Sequence, residues 1–315
     1  MLNQNEFIED IFNLVIQVRT NKTTEGTRVN ELIDAFYGDA VEYGDSKGYI
    51  SVDTLSASDY SKTSSLLQVN EPTMDEQFLT TTDRKKVAVT INRYLMKGAF
   101  ANEGSLSECL AVIESMLEKT KIIYTYKKII AAFEGYVPAK QTQKLEVNLI
   151  DTTGMTGVTL TETKKANAIT LYEAIRGLSL AMQTPSRAYN DLGFEEMYSP
   201  DDLVFLKNSK IESRMNAYAY ANLLNSDKLD DIKLYDKSII IPESQLTPTP
   251  ANKDLVGWLC SKGKYQVLPR FTIATAFQDG SNLMTNEWLH FWYISGFVNG
   301  LACVKIVANY ITPAE

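Results

Sequence analysis

The chain of 315 residues is 44% hydrophobic and 22% charged, values that are ordinary for a globular protein with one large domain or two smaller ones. Its 31 basic and 39 acidic side chains leave a net charge of −8 at pH 7, which disfavours a protein whose main task is to bind nucleic acid phosphates. We expect neither a secretory leader nor a membrane-spanning segment, because the first residues are acidic rather than basic and no apolar run is long enough to cross a bilayer.

The N-terminal part of the sequence predicts two helices and a long polar segment. Apolar residues at helical spacing predict a helix over residues 5–20 and a second helix from about Val29 to near Tyr43. Ser, Thr, Asn and Asp then dominate the sequence from Ser51 to Arg84, and short strand-like sequences flank this stretch at 49–52 and 77–80. The stretch is either disordered or a two-stranded arm, and an arm would need a partner surface because an isolated hairpin is only marginally stable.

The next segments predict one strand and one unusually long helix. Residues 86–92 alternate with period two and place Val87, Val89 and Ile91 on one face, which is typical of a strand. Ser105 and Glu108 form a capping-box pattern that predicts a helix start, and apolar residues continue at helical spacing to Phe133. Such a helix of about 30 residues would be roughly 45 Å long, which suits an extended body better than a compact core.

The rest of the sequence predicts an α/β region followed by two closing strands. The predicted helices are at 164–182 and 209–224. The predicted strands are at 145–150, 203–206, 239–241, 255–259 and 264–268, and the closing strands are at 287–295 and 301–310. Residues 296–300 separate the closing strands.

Residues that carry chemistry are scarce. The chain has one histidine, His290, and three cysteines, Cys109, Cys260 and Cys303, which lie far apart in the sequence. Because zinc sites draw mainly on Cys and His at short spacing, we expect no zinc site and instead reduced, buried thiols. His290 falls in a predicted half-buried strand, where a packed or interface histidine is a better interpretation than a catalytic one. We predict no catalytic, cofactor-binding or metal-binding residue and no cofactor.

Several segments carry a likeness to a known family. They are residues 94–106 and 119–133 at the two ends of the predicted long helix, 198–206 at the start of the α/β region, and 285–293 in the first closing strand. Together with the order of the elements, they resemble the Hong Kong 97 fold of tailed-phage major capsid proteins. The likeness is nearest to the small capsid proteins of short-tailed phages and runs from about Thr80 onward.

The resemblance implies an α+β fold of the Hong Kong 97 type with five segments. These are an N-terminal arm at 1–45, an extended β-hairpin arm (the E-loop) at 46–85, a peripheral domain with a long spine helix and a β ribbon at 86–150, an inserted axial α/β domain at 151–284, and peripheral return strands at 285–315. The arm at residues 47–82 would lie across a neighbouring subunit, where its contacts are heterologous and close into rings.

The function that the resemblance implies is that of a structural major capsid protein, not an enzyme. It would self-assemble into the hexamers and pentamers of an icosahedral shell around double-stranded DNA, with no sequence-specific DNA contact and no membrane. Portal, scaffolding and decoration proteins would be its other partners, and it would reside in the virion capsid after assembly in the cytoplasm of a bacterial host.

Two alternatives stay open at this point. An encapsulin-type nanocompartment shares the fold but encloses a cargo enzyme, so the particle contents distinguish it from a capsid. An α/β enzyme would have its site near the adjacent carboxylates Asp201 and Asp202, and a pocket there with convergent polar groups would favour that alternative.

Overall fold

The computed structural model of the chain describes residues 28–42, 45–57, 59, 71–80, 82–92, 103–215, 233–248, 250, 252–279 and 284–312. Four predicted segments lie outside the described residues: the helix at 5–20, the tip of the arm at 60–70, the segment 94–102, and the second part of the helix at 209–224 from residue 216 onward. In the described part of the chain, no helix is long and apolar enough to cross a membrane.

The described residues form four helices and ten strands. The helices are α1 (Arg28–Phe36), α2 (Glu103–Glu134), α3 (Gly157–Met182) and α4 (Ser209–Met215). The strands are β1 (Lys47–Val52), β2 (Met74–Leu79), β3 (Thr82–Asn92), β4 (Lys144–Ile150), β5 (Leu203–Asn208), β6 (Lys237–Ile241), β7 (Lys253–Ser261), β8 (Tyr265–Asp279), β9 (Met284–Phe297) and β10 (Cys303–Ile311).

These elements group into two compact units. The first unit is drawn from Met1–Lys47, Phe78–Ala131 and Tyr265–Gly296, and the second is drawn from Gly48–Gln77, Ala132–Lys264 and Phe297–Glu315. Each unit has its own sheet, because β3, β8 and β9 fall in the first and β4, β5, β6, β7 and β10 in the second.

In the first unit, β9 lies between β3 and β8 in a three-stranded sheet, and it runs antiparallel to β3. Buried and half-buried residues alternate along β9, so the strand has one face turned to the core. Helix α2 packs on this face: the ring centroids of Tyr124 and Phe291 lie 5.5 Å apart, and the Thr125 hydroxyl donates a hydrogen bond of 3.2 Å to the Tyr293 hydroxyl. The three long strands are called the ribbon of the first unit below.

Asp83 fastens β3 to α2 in the same unit. Its carboxylate accepts hydrogen bonds from the Tyr124 hydroxyl and from Lys128 Nζ, the latter at 2.8 Å. Burial acts to raise the pKa of Asp83, but these two hydrogen bonds and the charge of Lys128 hold that pKa below its usual value. The carboxylate is therefore ionised at neutral pH, and the charge-assisted bonds keep strand and helix in register.

In the second unit, five strands form a mixed sheet in the order β4-β10-β7-β5-β6. β5 is buried along its whole length, as expected for a central strand covered on both faces. Helix α3 covers the sheet with a buried stripe of Leu171, Ile175, Leu178 and Met182.

Gly257 sets the close approach of β7 to β5. Its φ is +153°, and a Cβ atom at this position would lie 1.9 Å from the carbonyl oxygen of Leu206. Only glycine fits here, so the pairing of these two central strands requires a residue without a side chain.

The sheet register also brings two distant thiols together. Cys303 of β10 stands directly opposite Cys260 of β7, and both are free and fully buried. Burial, and then the neighbouring Cys303, raise the pKa of the Cys260 thiol well above its usual value. The prediction of reduced, buried thiols is confirmed for these two cysteines, and their burial makes them poor nucleophiles.

Two sequence-based expectations need correction. Helix α2 begins at Glu103, two residues before the predicted N-cap Ser105, so the helix start differs from the one that the capping-box pattern indicates. Helix α1 ends at Phe36 rather than near residue 43, because the backbone then bonds to β8, with the Gly38 N–H donating to the Val267 carbonyl. The two closing strands belong to different sheets, since β9 joins β3 and β8 while β10 joins β4 and β7.

Glu287 is an ionisable group in the core of the first unit. It lies on the buried face of β9 with 3% of its surface exposed, and its Oε2 has no hydrogen-bond partner among the described residues. Burial raises the pKa of Glu287 to about 7 from an ordinary value of 4.5.

Replacement of Glu287 by glutamine should stabilise the protein in a pH-dependent way. The folded state binds the proton more tightly than the unfolded state, so this group's contribution to stability is fully present below pH 4.5 and is lost as the pH rises through about 7. We expect Glu287→Gln to raise the free energy of unfolding by up to about 3 kcal/mol at pH 8 and by clearly less at pH 5, measured by urea unfolding.

A suitable control is Glu162→Gln, which removes an exposed carboxylate from α3 and should change stability little at either pH. An equal gain for Glu287→Gln at pH 5 and pH 8 would contradict the assignment of a raised pKa.

Candidate functional site

The arm comprises residues 47–79, in which β1 and β2 form a two-stranded sheet. Exposure alternates along both strands, so the sheet has one face open to solvent and one that is partly covered. The open face carries Ile50, Val52 and Met74, which are 69%, 45% and 63% exposed, and these three side chains are called the apolar arm face below. Of the two predicted alternatives, disorder or a two-stranded arm, the described part of this segment forms the two-stranded arm.

Asp53, directly after β1, makes the first attachment of the arm to the rest of the second unit. Its carboxylate accepts hydrogen bonds from Arg187 Nη1 at 2.7 Å and from the backbone N–H groups of Glu195 and Thr54 at 2.9 Å each. The hydrogen bond from the Glu195 N–H, followed by that from Arg187, holds the pKa of Asp53 below its usual value. Asp53 is therefore ionised at neutral pH, and its charge fastens the end of β1 to the loop 187–195.

Gln77 of β2 makes the second attachment. Its side-chain Nε2 donates to the carbonyl of Phe297 at 2.7 Å, and its Oε1 accepts from the backbone N–H of Asn299 at 2.9 Å. Gly300 of the same turn packs closely against Ser51 of β1, since a Cβ atom on Gly300 would lie 2.1 Å from Ser51 Oγ. Each strand of the arm is thus held by one polar side chain, β1 through Asp53 and β2 through Gln77.

A buried ion pair fixes the two segments to which the arm is attached. Lys264 is fully buried, and its Nζ donates to Asp191 Oδ2 at 2.7 Å, to the Val298 carbonyl at 3.1 Å and to the Leu301 carbonyl at 2.8 Å. All three donors of the ammonium group are used, so its charge is compensated. Asp191 belongs to the loop that receives Asp53, and Val298 and Leu301 flank the turn that receives Gln77.

The other carboxylate oxygen of Asp191 is also satisfied. Its Oδ1 accepts from the Tyr136 hydroxyl at 2.9 Å and from Gln143 Nε2 at 2.7 Å. Asn190 shapes the same loop, since its Oδ1 accepts from the backbone N–H groups of Gly193 and Phe194. The ion pair therefore lies in a network of hydrogen bonds that makes the base of the arm rigid.

The residues singled out from the sequence do not form a catalytic site. Asp201 and Asp202 are exposed in a 3-10 turn before β5, and Asp201 pairs with Lys233. His290 lies in β9 opposite Lys86, as a half-buried strand residue. Across the described residues, no three Cys, His, Asp or Glu side chains are grouped so that they could hold a metal ion.

The arm attachments were missed by the sequence analysis. Arg187, Asp191 and Glu195 lie in an irregular loop between α3 and β5, where no hydrophobic period marks any residue. Lys264 offered no signal either, because it directly follows Gly263, whose positive φ of 75° makes the turn between β7 and β8, and an exposed lysine is the ordinary expectation in a turn.

Loss of the Lys264 ammonium should destabilise the protein strongly. Lys264→Met leaves the Asp191 charge buried without its main partner, so we expect the free energy of unfolding to fall by about 3–5 kcal/mol, measured by urea unfolding. Addition of Asp191→Asn should recover part of the loss, because it removes the uncompensated charge.

The matched control is Lys262→Met, two residues earlier. Lys262 pairs with Asp236 at 2.6 Å on the surface, with 40% of its side chain exposed, and its loss should cost less than about 1 kcal/mol. Similar losses in the two variants would show that the buried network does not have the assigned role.

Comparison with known proteins agrees with this architecture. A chain from the capsid structure of Staphylococcus phage Andhra has the same fold, with a TM-score of 0.61 and 14% identity over 92% of this chain and 88% of that one. A chain from a structure of native bacteriophage P68, described for its head fibre and inner core protein gp22, has a TM-score of 0.59 and 13% identity over 91% of this chain and 87% of that one. A chain from the capsid structure of cyanophage P-SCSP1u has a TM-score of 0.57 and 11% identity over 88% of this chain and 87% of that one.

No curated protein sequence matches the chain. The family model of the Phi29-like phage major capsid protein, however, matches residues 2–303. The predicted α+β fold of the Hong Kong 97 type is confirmed, and so is the prediction of a structural protein rather than an enzyme. A match over almost the whole length shows that the chain belongs to the family of Phi29-like phage major capsid proteins and is a shell-forming protein of the virion.

Proposed function

We propose that the chain forms the hexamers and pentamers of an icosahedral shell that encloses double-stranded DNA, and that its arm lies on a neighbouring subunit. The apolar arm face is the observation that carries this proposal. Ile50, Val52 and Met74 are between 45% and 69% exposed on a two-stranded sheet, an arrangement that would favour aggregation if nothing covered it.

A second copy of the chain is the occupant that best fits this face. Burial of each large apolar side chain contributes roughly 1.5–3 kcal/mol, so one arm contact is modest. Contacts of this kind are heterologous, because the arm of one copy meets a different surface of the next, and they close into rings when the rotation permits. Many simultaneous contacts then give a stable shell from individually weak ones.

The solved relatives support the same role. The Andhra and P-SCSP1u chains come from capsid structures, and this chain covers most of the length of both. The match to a capsid family also favours a genome-enclosing shell over an encapsulin-type compartment. The particle contents, nucleic acid or cargo protein, distinguish the two.

We further propose the domain roles that the sequence predicts: arms at 1–45 and 46–85, a peripheral domain at 86–150 and 285–315, and an axial domain at 151–284. The long helix and ribbon of the first unit support the peripheral role, and the mixed sheet of the second unit supports the axial one. β4 and β10 belong to the second unit's sheet and β8 to the first unit's, which favours borders near residues 132, 264 and 297.

The remaining partners are part of the same proposal. Portal, scaffolding and decoration proteins would meet the shell, and assembly would take place in the cytoplasm of the bacterial host. The net charge of −8 supports DNA enclosure without strong or sequence-specific contact, because tight phosphate binding rests on an excess of Lys and Arg.

Electron microscopy of the chain, purified or co-expressed with the other structural proteins of its phage, tests the proposal. We expect closed particles that contain nucleic acid when they are recovered from infected cells. A strictly monomeric protein at high concentration under both conditions would contradict shell formation.

The arm contact is tested by the double variant Ile50→Ser with Met74→Ser. Both side chains are exposed in the isolated subunit, so its melting temperature should change little, whereas the yield of closed particles should fall at least about tenfold if each contact loses about 1.4 kcal/mol. Deletion of residues 47–82 should likewise leave a folded subunit that forms no stable shell.

The control for the double variant is Val158→Ser, which replaces a valine on α3 that is 74% exposed. Normal particles from this control and few from the arm variant are the expected pair of results. Unchanged assembly of the arm variant would show that the apolar arm face is not covered by a neighbour.

A further inference from the structure

A pocket of about 270 Å³ lies at the base of the arm within the second unit. It is lined by residues 49–52 of β1, by Glu196 and Tyr198, and by Val298, Gly300 and Leu301 of the turn before β10. Most of these residues present apolar or aromatic surface, and Glu196 is the charged side chain among them. The pocket is thus an apolar recess with one carboxylate.

Glu196 is held in place by its backbone but not by its side chain. Its backbone N–H and carbonyl both bond to Ser186, at 3.2 and 2.9 Å. Its carboxylate has no ion-pair or hydrogen-bond partner within the described part of the chain, although the adjacent Glu195 accepts from the Thr54 hydroxyl and lies near Arg187. Burial, and then the charge of Asp53, raise the pKa of Glu196. A partly desolvated carboxylate with unused acceptor positions favours the arrival of a cation.

The volume and lining of the pocket suit a long basic side chain. The aliphatic stem of lysine or arginine packs well on valine, leucine and tyrosine surfaces, while its charged head seeks a carboxylate. A volume of about 270 Å³ is larger than any single side chain requires, so the recess can admit one without rearrangement.

A neighbouring subunit is a suitable source of such a side chain, because the pocket adjoins the apolar arm face. Ile50 and Val52 belong both to that face and to the pocket lining, so a neighbour that covers the arm also reaches the pocket. The chain offers suitable donors: Lys86, Lys119 and Lys127 are exposed and have no ion-pair partner within the described residues.

We propose that this pocket receives a lysine or arginine side chain of a neighbouring copy of the chain, which pairs with the carboxylate of Glu196. The inference rests on the proposed function, since it needs a shell in which copies meet. It adds a specific polar contact to an arm interface that is otherwise apolar, and such a contact fixes the register of one subunit on the next.

Glu196→Gln tests the proposal by its opposite effects on the free and the assembled protein. In the free subunit, the change removes an unpaired, partly desolvated charge, so the melting temperature should stay the same or rise. In the shell, it removes an intersubunit ion pair, so we expect subunits to associate roughly tenfold more weakly. Particles of the variant should therefore dissociate at a lower urea concentration than wild-type particles. Glu196→Lys should weaken the shell further, because it places two cations together.

Glu173→Gln is the matched control, because it removes an exposed carboxylate of α3 from the same unit. Shells of this control should dissociate at the same urea concentration as wild-type shells. Added salt should reduce the difference in that concentration between the wild type and Glu196→Gln, because salt screens the ion pair.

Two outcomes overturn the inference while leaving the shell function intact. One is that wild-type and Glu196→Gln shells are equally stable, which would mean that no cation enters the pocket. The other is that the free Glu196→Gln subunit loses as much stability as the shell, which would make Glu196 a structural residue of the subunit. Failure of the wild type to form any shell overturns the proposed function itself, and the inference with it.

Discussion

The base of the arm depends on one interaction, the buried ion pair between Lys264 and Asp191. A charge in a protein interior is tolerated only when its hydrogen-bonding capacity is met, and here both partners are fully engaged. The pair joins a loop to a turn that are far apart in the sequence. Each of those segments then binds one strand of the arm, so the position of the arm on the rest of the second unit depends on a contact that lies beneath it.

The sheet and α3 of the second unit form a stable body, whereas the arm is an extension that lacks a core of its own. The second unit has a continuous core, with β5 buried on both faces and α3 packed on the sheet. The arm has only two strands and an exposed apolar face, and polar side chains rather than a core hold it in place. Asp53 and Gln77 use charge-assisted and bidentate hydrogen bonds, which have defined directions. The subunit therefore presents a positioned surface that a neighbour in the shell can cover.

Local patterns in the sequence predicted much of the fold. The alternation in β9, the long apolar period of α2 and the continuous apolar run of β5 each reflect burial that neighbouring residues share, so a short window reveals them. Pairing between distant segments could not be predicted in this way: β9 and β10 are neighbours in the sequence, yet they join different sheets. The contact between Cys260 and Cys303 and the attachments of the arm likewise depend on register and loop geometry, which no hydrophobic period encodes.

The hydrogen bonds of Gln77 allow sequence variation at the position they hold. Among the described residues, the side chain of Gln77 bonds only to main-chain atoms, the carbonyl of Phe297 and the N–H of Asn299, so these bonds do not depend on the side chain at position 299. Substitutions of Asn299 are therefore compatible with a firmly seated arm, and homologous shells are free to diverge at this site. Proline is the exception, because it lacks the amide hydrogen that Gln77 accepts.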